Sequence, residues 1–306
     1  MPWGWCRPPP IRIRQAAWPK SVSVSQPDPS PVSPPDLMIS LADRQLLEGL
    51  VRLARLAGDA IEGVRAHGCT AQDKTDGSPV TEADLAADLV IARGLGELLP
   101  GVPVISEETV ERAPGLTDPD GLFVLVDPLD GTREFINGSP DYTVNIALIA
   151  RRRPVAGVVL APATGVVWTG LCPLHAAGEA HRIDHAGAAP VPVRVRRPGA
   201  ALDVLASRSH ADPGTDAYLA TLPGHRRLTV GSSLKFCRIA EGSADLYPRW
   251  GTTMEWDTAA GHAVAAAAGA LVTAPDGSPF LYGKQAAGWH NGPFLVRASA
   301  AIPLPD

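Results

Sequence analysis

The stretch Leu122-Phe-Val-Leu-Val-Asp127-Pro-Leu-Asp130-Gly-Thr132 runs from five consecutive apolar residues into a turn carrying two acids. So short an apolar run, bounded by turn residues, reads as a buried strand. Pro128 cannot extend the ladder, and Gly131 tolerates the positive φ of a tight turn. The strand therefore delivers Asp127 to a sheet edge. Two carboxylates three residues apart then face one point, with the Leu129 carbonyl between them. Such hard oxygen ligands suit Mg²⁺ and not zinc. Thr132-Arg-Glu-Phe is helix-like, so the amides of Gly131 and Thr132 would meet a phosphate at a helix start. Taken alone, the motif reads equally as an ordinary turn with an Asp N-cap. It is not an EF-hand loop, because the D-x-D-x-D-G spacing and the terminal Glu are missing.

Working outward, Leu46, Leu47, Leu50, Leu53, Ala54, Ala57 and Ile61 recur at helical spacing and predict a long amphipathic helix over 41–64. Residues 72–80 read as a loop or hairpin. Residues 81–99 read as a second helix, capped by Thr81 with Asp84 three residues on in the acidic capping-box role. Short strands are expected at 102–105, 142–150, 154–161 and 165–169. Beyond about 190 the pattern changes. Strands at 202–206, 228–230 and 246–248 alternate with helices at 214–222, 232–241 and 258–268, the last stopped by Gly269, as in an α/β unit.

The chain has 306 residues, 45% of them apolar and 19% charged, which suits one large or two modest domains with a real core. We expect an N-terminal α+β subdomain over 38–190 and a C-terminal α/β subdomain over 191–306. Residues 1–37 hold ten of the 31 prolines and three of the seven tryptophans. They read as a disordered Pro-rich tail or as sequence upstream of a true start at Met38. The net charge of −5 argues against a nucleic-acid polymer or an anionic membrane as partner. No apolar run reaches 18 residues, so no integral membrane span is expected. Cys6, Cys69, Cys172 and Cys237 show no CxxC spacing and suggest reduced thiols in a cytoplasmic protein.

Further acids stand at the ends of expected elements. Glu107 follows a short strand, Asp257 precedes a helix in Met254-Glu-Trp-Asp-Thr, and Asp84 lies within one. Individually they read as a surface charge, an N-cap and a helix residue. Gathered together, they would repel strongly unless cations neutralised them, which predicts a site for two or three metal ions.

Ser106-Glu107-Glu108, Asp127-Pro-Leu-Asp-Gly-Thr132 and Trp256-Asp257-Thr-Ala-Ala-Gly261, in that order, resemble the lithium-sensitive, magnesium-dependent phosphomonoesterases of the inositol monophosphatase superfamily. Ser78-Pro-Val-Thr-Glu-Ala-Asp84, Ala206-Ser-Arg-Ser-His210, Gly231-Ser-Ser-Leu-Lys-Phe236 and Met254-Glu-Trp-Asp257 resemble its bacterial 3′(2′),5′-bisphosphate nucleotidase branch. The likeness runs from about residue 41 to 298, with Arg133 where the family often has Lys. It implies a layered αβαβα sugar-phosphatase fold. It implies one Mg²⁺ on Glu107, Asp127 and the Leu129 carbonyl, a second on Asp127, Asp130 and Asp257, and a weaker third near Glu107. It also implies that Asp84 and Thr132 activate the attacking water, with Glu107 the third residue of the catalytic set.

Substrate contacts are expected from Gly131, Thr132, His210, Ser232, Ser233, Lys235, Arg249 and Asp257. Lys235 ranks first among the cationic ones, one turn into a helix that opens at Gly231-Ser-Ser. The implied reaction converts adenosine 3′,5′-bisphosphate to AMP and phosphate. The rival readings are a phosphatase of inositol phosphate or histidinol phosphate, and a catalytically silent metal- or phosphate-binding regulator. The resemblance leaves a peripheral inner-membrane association open, but no lipid-anchoring feature stands in this sequence.

Overall fold

The computed structural model describes residues 44–68, 71–73, 79–112, 115–172, 177–206, 212–222 and 224–305. The tail expected over 1–37, Lys74, Ser78 and His210 lie outside them. Helix α1 (Arg44–His67) buries Leu46, Leu50, Ala54, Ala57 and Ile61, the stripe read from the sequence. Strands β1 (Ala71–Asp73) and β2 (Pro79–Thr81) pair antiparallel and lead into α2 (Glu82–Leu98).

A seven-stranded sheet follows in sequential order: β3 (Val104–Ser106), β4 (Leu122–Asp130), β5 (Thr143–Ala150), β6 (Arg153–Ala161), β7 (Val166–Leu171), β8 (Glu179–Ile183) and β9 (Val191–Pro192). β3 and β4 are parallel and every other neighbouring pair is antiparallel. The apolar run of β4 serves two cores because successive side chains alternate between faces. Val124 and Val126 join α1 and α2, together with Val144, Ile146, Leu148 and Val158. Phe123 and Leu125 join the opposite core with Ala147, Ile149 and Val159.

That second core is completed by α5 (Leu234–Ala240), α6 (Glu255–Ala267) and the inner face of a five-stranded sheet. The sheet has the order β11 (His225–Thr229), β10 (Leu202–Ala206), β12 (Leu246–Arg249), β16 (Phe294–Arg297), β14 (Leu271–Thr273). On its outer face Val204, Leu246 and Leu295 pack against Tyr218, Leu219 and Leu222, in and just after α4 (Pro213–Thr221). The layers are therefore α1/α2, sheet, α5/α6, sheet, α4. This is the αβαβα arrangement that the motifs implied.

β11, β10 and β12 run parallel, as strand–helix alternation predicts. β14 and β16 are antiparallel additions that the sequence reading lacked. Each is too short to show a period, and β16 ends in buried Arg297, whose Nη1 donates to the Ile302 carbonyl at 2.7 Å. β8 was also missed, since its mostly half-exposed Glu-Ala-His-Arg-Ile carries no apolar alternation. A further two-stranded ribbon pairs β13 (Thr253–Met254) with β15 (His290–Asn291). Helix α6 begins at Glu255 and not at the expected residue 258, so Asp257 lies in its first turn instead of preceding it. No described helix is long and apolar enough to cross a membrane.

Candidate active site

A cavity of about 320 Å³ opens where β3, β4 and β12 end and α3 (Thr132–Ile136), α5 and α6 begin. Its wall includes Glu107, Asp127, Leu129, Asp130, Gly131, Thr132, Ser232, Lys235, Arg249 and Asp257. Residues spread over 150 positions of sequence thus meet in one place. Glu107, Asp127 and Asp257 each bring a carboxylate oxygen within 4.8 Å of the other two.

The local backbone explains this convergence. In a regular strand, Asp127 and Asp130 would project to opposite faces. The pairing of β4 with β5 slips between them: Asp127 lies opposite Asn145 and Asp130 opposite Thr143. This bulge swallows one residue and re-aims Asp130. The Leu129 amide donates to Asp127 Oδ1 at 3.0 Å, and Gly131 takes φ 92° to enter α3. Glu107 follows β3 directly, and its amide continues the parallel pairing by donating to the Val126 carbonyl at 3.2 Å. Asp257 accepts the Met254 amide at 2.8 Å and so fixes the start of α6.

Burial pushes Asp127 well above the usual carboxylate range, reinforced by the charges of Glu107, Asp130, Asp257 and Asp84. Asp257 is driven the same way by burial and then by Asp130. Asp130 is raised by burial, against the pull of nearby Lys235 and hydrogen bonds from Ser233 and Asn145. The donors are all hard oxygens, without His or Cys. The set fits divalent cations of the Mg²⁺ kind, which would replace carboxylate repulsion by attraction.

Asp84 is split between two tasks. Its Oδ2 accepts the Thr81 amide at 2.8 Å and the Thr81 hydroxyl at 2.7 Å, which forms the expected cap of α2. Its Oδ1 accepts the Thr132 hydroxyl at 3.0 Å. Burial raises the Asp84 carboxyl, while the Thr81 and Thr132 hydrogen bonds oppose the shift.

The lining also carries cations, Lys235 and Arg249. Lys235 is only 6% exposed and donates to the Ser232 carbonyl at 2.6 Å. Burial lowers its ammonium to about 8, partly offset by the charge of Asp130. Arg249 donates to the carbonyls of Gly251 and Thr252 at 3.2 and 3.3 Å. Ser232 adopts φ 43°, and its buried Oγ has no hydrogen-bond partner among the described residues. A buried hydroxyl left so beside a cavity is suited to a ligand oxygen. Ser233, expected at the substrate, is instead engaged within the wall: its amide donates to Asp130 at 2.6 Å and its hydroxyl to the Asp257 carbonyl at 2.6 Å. His210 lies outside the described residues.

Residues 42–299 match the model of the inositol monophosphatase family. The chain belongs to the inositol monophosphatase family. Among its relatives, the 3′(2′),5′-bisphosphate nucleotidase CysQ of Escherichia coli O157:H7 is 47% identical over 247 residues, covering 78% of this chain and 94% of that protein. The protein of that name from Haemophilus influenzae is 29% identical, covering 71% and 80% respectively. A crystal structure of CysQ from Bacteroides thetaiotaomicron, described as a bacterial member of the family, superposes with a TM-score of 0.68 at 32% identity, covering 83% of this chain and 97% of that one. The Thermotoga maritima IMPase shares the fold, with a TM-score of 0.63 at 21% identity over 83% of this chain and 92% of that one.

Two groups that build this family site escaped the sequence reading. Asn145 donates to Ser233 Oγ at 3.0 Å and approaches Asp130 at 3.5 Å. Its signal was available, as a polar residue interrupting the apolar run of β5. The fully buried Glu255 accepts the amides of Gly283 and Lys284 and the Lys284 ammonium at 2.8, 3.0 and 2.9 Å. Asn291 accepts from Lys284 and donates to the Met254 carbonyl at 2.7 Å. This network braces the turn that presents Asp257. It joins segments thirty residues apart and leaves no local pattern.

Proposed function

We propose that this family member is a Mg²⁺-dependent phosphomonoesterase that hydrolyses adenosine 3′,5′-bisphosphate to AMP and phosphate, and also accepts its sulfated precursor. The carrying observation is one cavity lined both by a triad of acids and by Lys235 and Arg249. A substrate with two phosphates would engage the acid-held cations with one and the basic side chains with the other. Its identity with named bisphosphate nucleotidases supports the same choice.

Glu107, Asp127, the Leu129 carbonyl, Asp130 and Asp257 would hold two Mg²⁺ ions, with a third near Glu107; bound there, the ions neutralise phosphoryl and leaving oxygens and acidify water. The Thr132 hydroxyl, oriented by Asp84, holds the attacking water in line with phosphorus and relays its proton to Asp84. The amides of Gly131 and Thr132 face the scissile phosphate at the start of α3. Lys235, Arg249 and the Ser232 hydroxyl hold the second phosphate, with His210 as a further contact. No side chain is required as a nucleophile. The buried thiol of Cys237 is pushed well up by desolvation and is inert. The free thiols of half-buried Cys172 and buried Cys237 also fit a cytoplasmic location.

Phosphate release is to be measured with Mg²⁺, with and without Li⁺, from adenosine 3′,5′-bisphosphate, inositol phosphate and histidinol phosphate. The expected result is preference for the bisphosphate and inhibition by Li⁺. A preference for inositol or histidinol phosphate would overturn the substrate. Absence of release from every ester would favour a silent binder, a reading that the Thr132–Asp84 pair opposes because a binder needs no water-activating group.

A further inference from the structure

Asp212 precedes α4 on the outer side of the second sheet and is not on the cavity wall. As an N-cap it needs one acceptor bond, and Oδ1 supplies it to the Gly214 amide at 3.0 Å. Its other oxygen does something a cap does not require. Oδ2 accepts the Thr215 hydroxyl at 2.8 Å, the Trp250 amide at 2.7 Å and the Gly251 amide. Two of these donors come from the turn after β12, nearly forty residues along the chain. That turn is packed as well as tethered. The Trp250 ring lies 5.4 Å from that of Tyr218, and a Cβ on Gly214 would stand 2.6 Å from the Trp250 ring.

The turn matters because its carbonyls aim Arg249. Gly251 and Thr252 accept from Nε and Nη2 of the guanidinium. Two of its five N–H groups are thereby spent, and no other bond from it is seen among the described residues, which leaves the rest to an anion in the cavity. Freed from the Asp212 carboxylate, the turn would let the guanidinium rotate, and bidentate recognition depends on its orientation. Hydrogen bonds from Thr215, Gly214, Trp250 and Gly251 hold the Asp212 carboxyl below its usual range although burial works against them. The group is thus an anion at neutral pH.

We propose that Asp212 is a positioning residue for substrate recognition, tying α4 to the 250–252 turn and so fixing Arg249 on the second phosphate. This rests on the bisphosphate reading above. The test compares steady-state kinetics of Asp212→Ala on adenosine 3′,5′-bisphosphate and on adenosine 3′-monophosphate, which lacks the second phosphate. KM for the bisphosphate should rise about tenfold with kcat within about twofold, while KM for the monophosphate stays put. Arg249→Met should show the same loss of selectivity, and the double variant should lose little more, because both act through one contact. Asp212→Asn retains an oxygen for Gly214 but turns an amide donor toward the Trp250 and Gly251 amides. It should keep the fold and fall between wild type and Asp212→Ala, so it serves where the Ala variant does not fold. Equal losses on the two substrates, unchanged selectivity, or additive effects in the double variant would overturn the clamp. A wild-type enzyme without preference for the bisphosphate would instead overturn the substrate reading, and the clamp with it.

Discussion

The Asp84 carboxylate gives one oxygen to the cap of α2 and the other to Thr132, so substitutions at the two residues should fail differently. Thr132→Val preserves shape and removes only the hydroxyl. It should lower kcat by about 10²–10⁴-fold, the usual worth of a positioned proton acceptor, with the melting temperature unchanged. Thr132→Ser should keep most of the activity. A Val variant within threefold of wild type would take Thr132 out of the proton path. Asp84→Asn should lose activity and also about 1 kcal/mol of stability through the weakened cap. At Lys235, desolvation leaves an ammonium that titrates near 8. It is charged below that value, so KM for the bisphosphate should rise as pH climbs from 7 to 9, and Lys235→Met should flatten the profile. A wild-type KM constant over that range would remove Lys235 from the second phosphate. Local pattern placed Glu107, Asp127, Asp130 and Asp257 at strand ends and helix starts, but Asp84, Lys235 and Arg249 were singled out by the resemblance of their motifs. Asn145 left a signal in the apolar run of β5, but its partners and the inward use of Ser233 follow only from the register of β4 on β5 and the packing of α5 against it.

At the scale of elements, α6 approaches the first sheet closely because β6 and β7 each place a glycine, Gly157 and Gly170, beneath it. A Cβ on Gly170 would stand 2.5 Å from the Ala263 backbone, and one on Gly157 would stand 2.7 Å from the Ala260 carbonyl. Backbone cannot yield as a flexible side-chain tip would. Gly170→Ala should therefore cost about 1–3 kcal/mol by overpacking and push α6, with Asp257 at its start, away from β4. Urea denaturation would read the first effect and kcat the second; a variant as stable as wild type would show that the helix can retreat freely. The alanine run Ala263-Val-Ala-Ala-Ala-Ala268, stopped by Gly269, gave the helix away in the sequence. Its first turn was hidden there. Glu255 and Trp256 look like loop residues until the 283–291 segment folds over them and satisfies Glu255. β8, near one end of its sheet, stayed invisible for a related reason: its pairing partners, not its own pattern, make it a strand.

Across the whole molecule, the acids come from β3 and β4 in the first sheet and from α6, which belongs equally to the core of the second. A cation at their focus therefore ties the two sheets together, and its removal should be felt as global stability. At one hundred times its Kd, Mg²⁺ should add about 2.7 kcal/mol, or about 5 °C for a chain of this size. Scanning calorimetry with Mg²⁺ and with a chelator would measure it, and Asp257→Asn should abolish most of the difference. The pH dependence follows from the direction of the carboxyl shifts. Asp127 and Asp257 are raised in the metal-free fold. Their contribution to its stability is therefore full below the ordinary carboxylate value of ~3.9 and is lost as pH rises through the raised values. Mg²⁺ reverses that loss by binding the ionised forms. Its stabilising effect should accordingly be largest near neutrality and shrink on acidification well before an ordinary carboxylate would protonate. An Mg²⁺-induced shift in melting temperature that held constant from pH 8 to pH 4 would mean that the ion sits elsewhere than on these carboxylates.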